Sequence, residues 1–97
     1  MVVDRDERRR ENEEVFRNAN ERLRQVVEQQ IDPPARVPFL CECADETCMG
    51  RVDVTLDQYR ELRSHERRFM MLPDHQRTAG EEVVERRDGY DITQKPE

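Results

Sequence analysis

All three cysteines of this chain fall within eight residues, Cys41-Glu42-Cys43-Ala44-Asp45-Glu46-Thr47-Cys48. A random scatter over 97 positions would rarely bunch them so tightly. The cluster constrains the fold because the rest of the chain offers little to bury. Charged residues make up 41% of it, hydrophobic residues 34% and aromatics 5%, with no tryptophan. A chain of this length supports at most one compact core. A core this thin usually needs a disulfide, a metal or a partner chain to hold it.

Three is an odd count, so any closed disulfide set leaves one thiol over. Zinc answers the clustering better. It takes four soft or borderline ligands in a tetrahedron, with sulfur at about 2.3 Å and imidazole nitrogen at about 2.0–2.1 Å. The fourth donor must then be one of two histidines, His65 or His75. His75 follows a strand candidate in Leu72-Pro73-Asp74-His75, and a loop at a strand end can present a ligand to cysteines on a neighbouring strand. His65 falls at the end of a predicted short helix, where the helix dipole favours an imidazolium without any metal. The expected ligands are therefore Cys41, Cys43, Cys48 and His75, with zinc as the cofactor.

Two other readings use the same thiols. Cys41 could pair with Cys43 or Cys48 as a redox or metal sensor, although nearby acids raise thiol pKa values and slow reactivity. Alternatively the thiols are inert and buried, against which the flanking acids Glu42, Asp45 and Glu46 predict a loop that is not fully buried. In an extended Cys41-Glu42-Cys43 both sulfurs share one face, so the chain must bend to close on one ion, with Ala44-Asp45-Glu46 as the turn. A full Cys3His shell leaves no position for water, so the site reads as structural and no catalytic residue is expected. Glu42 is the best general-base candidate, and carboxylates beside zinc are more often supporting partners.

The remaining chain divides at Pro33-Pro34. Residues 1–35 read as a charged helix and a proline turn, and residues 36–97 as a small zinc-binding module. From about Asp4 to Gln30 there is no glycine or proline, and Phe16, Ala19, Leu23 and Val26 alternate steps of three and four. That is helical spacing with one narrow apolar stripe, and the turns before Val15 have almost nothing to bury. The stripe packs on the following module, or forms a seam with a protein partner or a second copy through residues 12–30. Val37, Phe39 and Leu40 predict a strand, as does Arg51 to Leu56. Thr55-Leu56-Asp57-Gln58 matches a capping box and predicts a helix to about His65 that buries Leu56, Tyr59 and Leu62. Arg68 to Leu72 is a third strand candidate and core segment. Asp88-Gly89 between Glu82–Arg87 and Tyr90–Lys95 predicts a hairpin with both turn residues at positive φ, pairing Arg87 with Tyr90, Arg86 with Asp91, Glu85 with Ile92 and Val84 with Thr93.

Charge narrows the partners. With 17 basic and 23 acidic residues the net charge is −6, a poor basis for binding nucleic acid. Sixteen of the cations are arginine and they interleave with acids, the pattern of a solvated helical face. No apolar run approaches the roughly 18 residues of a membrane helix, and the first residues lack the basic and apolar regions of a secretory signal. A cytoplasmic protein is expected.

Pro38-Phe39-Leu40-Cys41-Glu42-Cys43 with Cys48, then Val54 to Tyr59, Arg68-Phe69, Leu72-Pro73-Asp74-His75, Val83 to Arg86 and Gly89-Tyr90 carry a resemblance. The chain from about Asn12 resembles a group of small uncharacterised bacterial proteins that share a charged N-terminal helix. In that group a histidine stands where His75 does, whereas His65 falls in a variable stretch. The resemblance implies Cys41, Cys43, Cys48 and His75 as one set, and it implies no reaction or substrate. The expected fold is α+β: a long N-terminal helix packed on a small antiparallel sheet with one short helix, stabilised by zinc.

Overall fold

A computed structural model describes residues 5–45 and 47–96 of the 97. Asp4 and Glu46, assigned above to the helix start and to the cysteine loop, lie outside the described residues. The architecture is α+β. Helix α1 (Arg5–Glu28) is followed by β1 (Val37–Leu40), β2 (Arg51–Val54), α2 (Leu56–Arg63), β3 (Arg68–Met71), β4 (Glu82–Arg87) and β5 (Tyr90–Gln94). Among the described residues no helix is long and apolar enough to cross a membrane.

The strands pair as two antiparallel sheets rather than the single one expected: β1-β2, and β3-β5-β4. In the first, Val37 faces Val54 and Phe39 faces Val52. Period-2 alternation turns these four side chains to one buried face and leaves Pro38 and Asp53 outside. Phe39 stacks on Tyr59 of α2, with ring centroids 4.2 Å apart. The capping box is complete: Thr55 Oγ1 accepts from Gln58 N at 3.1 Å, and Thr55 N donates to Gln58 Oε1 at 2.9 Å. It starts α2 so that Tyr59 and Leu62 are buried, while Leu56 is only partly covered. In the second sheet β3 is buried on both faces. Met70 joins the core shared with Val27, Val54 and Ile92, and Phe69 lies beneath the cations of Arg17, Arg63 and Lys95.

The Asp88-Gly89 hairpin forms with the expected pairs at Arg87–Tyr90, Arg86–Asp91 and Glu85–Ile92. Beyond them the register differs. A bulge at Val84 places Val83, not Val84, opposite Thr93 and leaves Val84 exposed. Just before β4, Glu81 is buried, and its carboxylate accepts from Thr78 N, Thr78 Oγ1 and Thr93 Oγ1. Of the two turn residues only Gly89 takes positive φ, at 83°.

The buried face of α1 is rotated from the one the apolar spacing predicts: Phe16, Ala19 and Leu23 are partly covered, but Val26 is not. Glu13 and Asn20 are fully buried and Val27 nearly so, whereas Val15 and Val26 are 62% and 60% exposed. These three positions recur every seven residues, with Phe16 and Leu23 half-buried beside them. Glu13 also corrects the expectation that the turns before Val15 bury nothing. Polar contacts set this orientation. Lys95 Nζ lies 3.0 Å from Glu13 Oε1, and Asn20 grips the chain at Leu40 and Glu42.

Candidate metal centre

The segment that carries Cys41 and Cys43 runs between the two sheets and is hydrogen-bonded to both. Cys41 N donates to Gly50 O at 3.1 Å, Glu42 N to Met70 O at 2.8 Å and Ala44 N to Gln76 O at 2.9 Å. Asp45 then makes the expected turn. Its carboxylate accepts from Thr47 N and Oγ1 at 2.9 and 2.7 Å, and its carbonyl accepts from Cys48 N at 3.1 Å. This Asx turn brings Cys48 back beside Cys41.

His75 arrives from the other sheet. Leu72-Pro73-Asp74-His75 forms a tight turn, with His75 N donating to Leu72 O at 3.4 Å. Pro73 at the second position and Asp74 at φ 64° are the geometry of a type II turn. A left-handed φ is tolerated by aspartate better than by most side chains.

The structure thus brings Cys41, Cys43, Cys48 and His75 together, each offering one ligand atom, all within 4.8 Å of one another. Cys41 Sγ and Cys48 Sγ each lie 3.5 Å from His75 Nδ1. A tetrahedral ion with the bond lengths above would set sulfur–nitrogen separations of about 3.6 Å and sulfur–sulfur separations of about 3.8 Å. The four groups can hold a metal ion. His65 is not among them; it lines a separate cleft with Gln58, Glu61 and Arg68.

Backbone N–H groups point at two of the three sulfurs. Leu72 N donates to Cys41 Sγ at 3.2 Å and Gly50 N to Cys48 Sγ at 3.4 Å. Without an ion the three sulfurs cannot share negative charge equally. Hydrogen bonding from Cys41 foremost, with His75 assisting, lowers Cys43 to about 5. The same Cys41–Cys43 contact, with burial, pushes Cys41 up, and burial pushes Cys48 up. A divalent cation supplies the charge that lets all three ionise together.

The flanking acids correct the sequence reading. Cys41, Cys43 and Glu42 are buried, so the loop is not held open by its carboxylates. The strand-like alternation sends Glu42 to the side opposite the sulfurs. There its carboxylate receives Arg63 NH2 at 2.6 Å, Asn20 Nδ2 at 2.7 Å and Met70 N at 3.1 Å. Burial pushes its pKa up, opposed by Arg63 and Asn20. Glu42 is engaged away from the cluster and is not placed as a base beside it. Sequence reasoning missed Asn20, Arg63 and Asn12, whose Nδ2 donates to Ala44 O at 3.5 Å. The available signal was weak: three asparagines, poor helix formers, stand at positions 12, 18 and 20 of the helix, and Asn18 is exposed. No known protein family, characterised protein or solved structure matches this chain.

Proposed function

We propose that Cys41, Cys43, Cys48 and His75 hold one zinc ion as a structural site, and that the chain acts without catalysis as a protein-interaction or regulatory module. The observation that carries the reading is the approach of Cys41 and Cys48 to His75 Nδ1, both at 3.5 Å. A donor set of three sulfurs and one imidazole in near-tetrahedral spacing suits zinc among the common cellular metals. Four protein donors fill that tetrahedron, and Glu42, the candidate base, is tied to Arg63 instead. The ion cross-links β1-β2 to the turn after β3, and metal binding in small modules contributes on the order of 10 kcal/mol to folding. A reducing cytoplasm would keep such thiols available.

The partner surface is the outward face of α1 within residues 12–30, a site for another protein or a second copy. Val15 and Val26 are exposed there, and Ile31 follows just beyond. Elemental analysis of the purified protein tests the metal reading. One zinc per chain that survives mild peroxide is expected, and absence of bound metal would defeat it. Zinc release by mild peroxide with a reversible disulfide would favour a thiol-based sensor using Cys41, Cys43 and Cys48. Light scattering tests self-association, and a monomer at high concentration excludes the second-copy partner.

A further inference from the structure

We infer that α1 is a splint for the metal-binding segment, so that metal occupancy and helix docking control one another. The inference rests on the zinc reading above and adds a regulatory consequence to it.

Helix and segment run antiparallel at matched length. Asn20 brackets Leu40, just before Cys41: Asn20 Oδ1 accepts from Leu40 N at 2.7 Å and Asn20 Nδ2 donates to Leu40 O at 3.0 Å. Asn12 meets Ala44, just after Cys43. Eight helical residues rise about 12 Å, and four extended residues span about 13 Å. Between these anchor points Asn20 also donates to Glu42, the residue between the two cysteines. Each of these contacts is a hydrogen bond, and hydrogen bonds weaken steeply when their geometry shifts.

Apolar contact does little to replace them. Among the described residues of α1, Val27 is the one buried apolar side chain, with Leu23 packed against the core and Phe16 half-buried, while Glu13 and Asn20 are fully buried. A helix docked mainly through polar geometry stays docked only where its targets stay put. The ion fixes Cys41 and Cys43, and through them Leu40, Glu42 and Ala44. Loss of the ion leaves the segment held by its bonds to Gly50, Met70, Gln76 and Arg63, and loosens the targets. By linkage, docking of α1 tightens metal binding by the same factor. Asn20 and Asn12 are positioning residues for ligands they do not touch.

The test uses the full chain. Zinc affinity is measured by competition with a chromophoric chelator, and amide hydrogen exchange of residues 12–28 is followed with zinc bound and after chelation. Asn20→Ala is expected to weaken zinc binding about 10–100-fold, the range for lost supporting contacts, while the cobalt-substituted protein keeps its thiolate absorption. Asn12→Ala is the milder variant should Asn20→Ala fail to fold, and Glu14→Gln, on the exposed face, is the control with unchanged affinity. Chelation is expected to speed exchange in α1 together with residues 40–48, ahead of the β4–β5 hairpin. Zinc bound with thiolate absorption, but with equal affinity in the asparagine variants or unchanged α1 exchange on chelation, overturns the splint and leaves the site standing. No zinc bound by the unaltered chain overturns both.

Discussion

Replacing Arg63 with alanine separates two accounts of how this small protein holds together. Arg63 and Glu42 are 8% and 0% exposed along their side chains and meet at 2.6 Å. The guanidinium also lies over the rings of Tyr59 and Phe69, 5.2 and 5.9 Å from their centroids. Arg63→Ala leaves the Glu42 carboxylate buried with two neutral donors, Asn20 Nδ2 and Met70 N. Stranding one member of a buried pair costs about 3–5 kcal/mol, against a total stability of about 5–15 kcal/mol for a natural domain. Urea unfolding at pH 7 in excess zinc reads the loss directly. Arg60→Ala is the comparison, because Arg60 is 52% exposed and pairs with Glu28 at the surface; such pairs are worth about 0–1 kcal/mol. The sign with pH is also fixed. Burial raises Glu42 in the folded chain, so its contribution is fully present below its unfolded pKa and is lost as pH rises through the folded value. Removing Arg63 raises the folded value further, so the variant loses more stability with rising pH than the wild type. A loss no larger than that of Arg60→Ala, with no pH dependence, would refute the argument that a buried charge pair anchors the segment between the cysteines.

Cys48→Ser is expected to abolish stoichiometric zinc and unfold the module by circular dichroism, whereas His65→Ala leaves both intact; equal damage from the two would refute the ligand choice. Glu13→Gln should make stability less sensitive to alkali. Burial foremost, and then the neighbouring Glu81, raise Glu13 from 4.5 to about 9. The wild type therefore holds a proton that the unfolded chain releases, and this contribution is fully present below about 4.5 and lost as pH rises to about 9. The variant's advantage in urea should grow across that window, and a constant difference would contradict it.

What the sequence made legible was local. The capping box at Thr55 and Gln58, the Asp88-Gly89 turn and the alternation of Val52 and Val54 are each settled within a few residues, and each stands in the structure. The cysteine cluster was legible for the same reason, and His75 because a proline-bounded strand end is a natural place to present a ligand. The misreadings concern charged or polar residues whose partners are remote in sequence. Glu42 reads as a solvated loop acid until Arg63, 21 residues on, is folded against it. Glu13 reads as part of a solvated face, yet it is buried against Lys95 at the other end of the chain. Asn20 outweighs the Phe16–Val26 stripe because an amide that satisfies both the N–H and the carbonyl of Leu40 fixes the helix rotation more sharply than weak apolar contacts do.

X-ray absorption at the zinc edge of the purified protein puts the main proposition to the test. Three sulfurs at about 2.3 Å and one nitrogen at about 2.0–2.1 Å around a single ion per chain is the predicted shell, with the nitrogen scatterer lost in His75→Ala. A shell of oxygen and nitrogen alone, or a zinc signal that His75→Ala leaves unchanged, would contradict it.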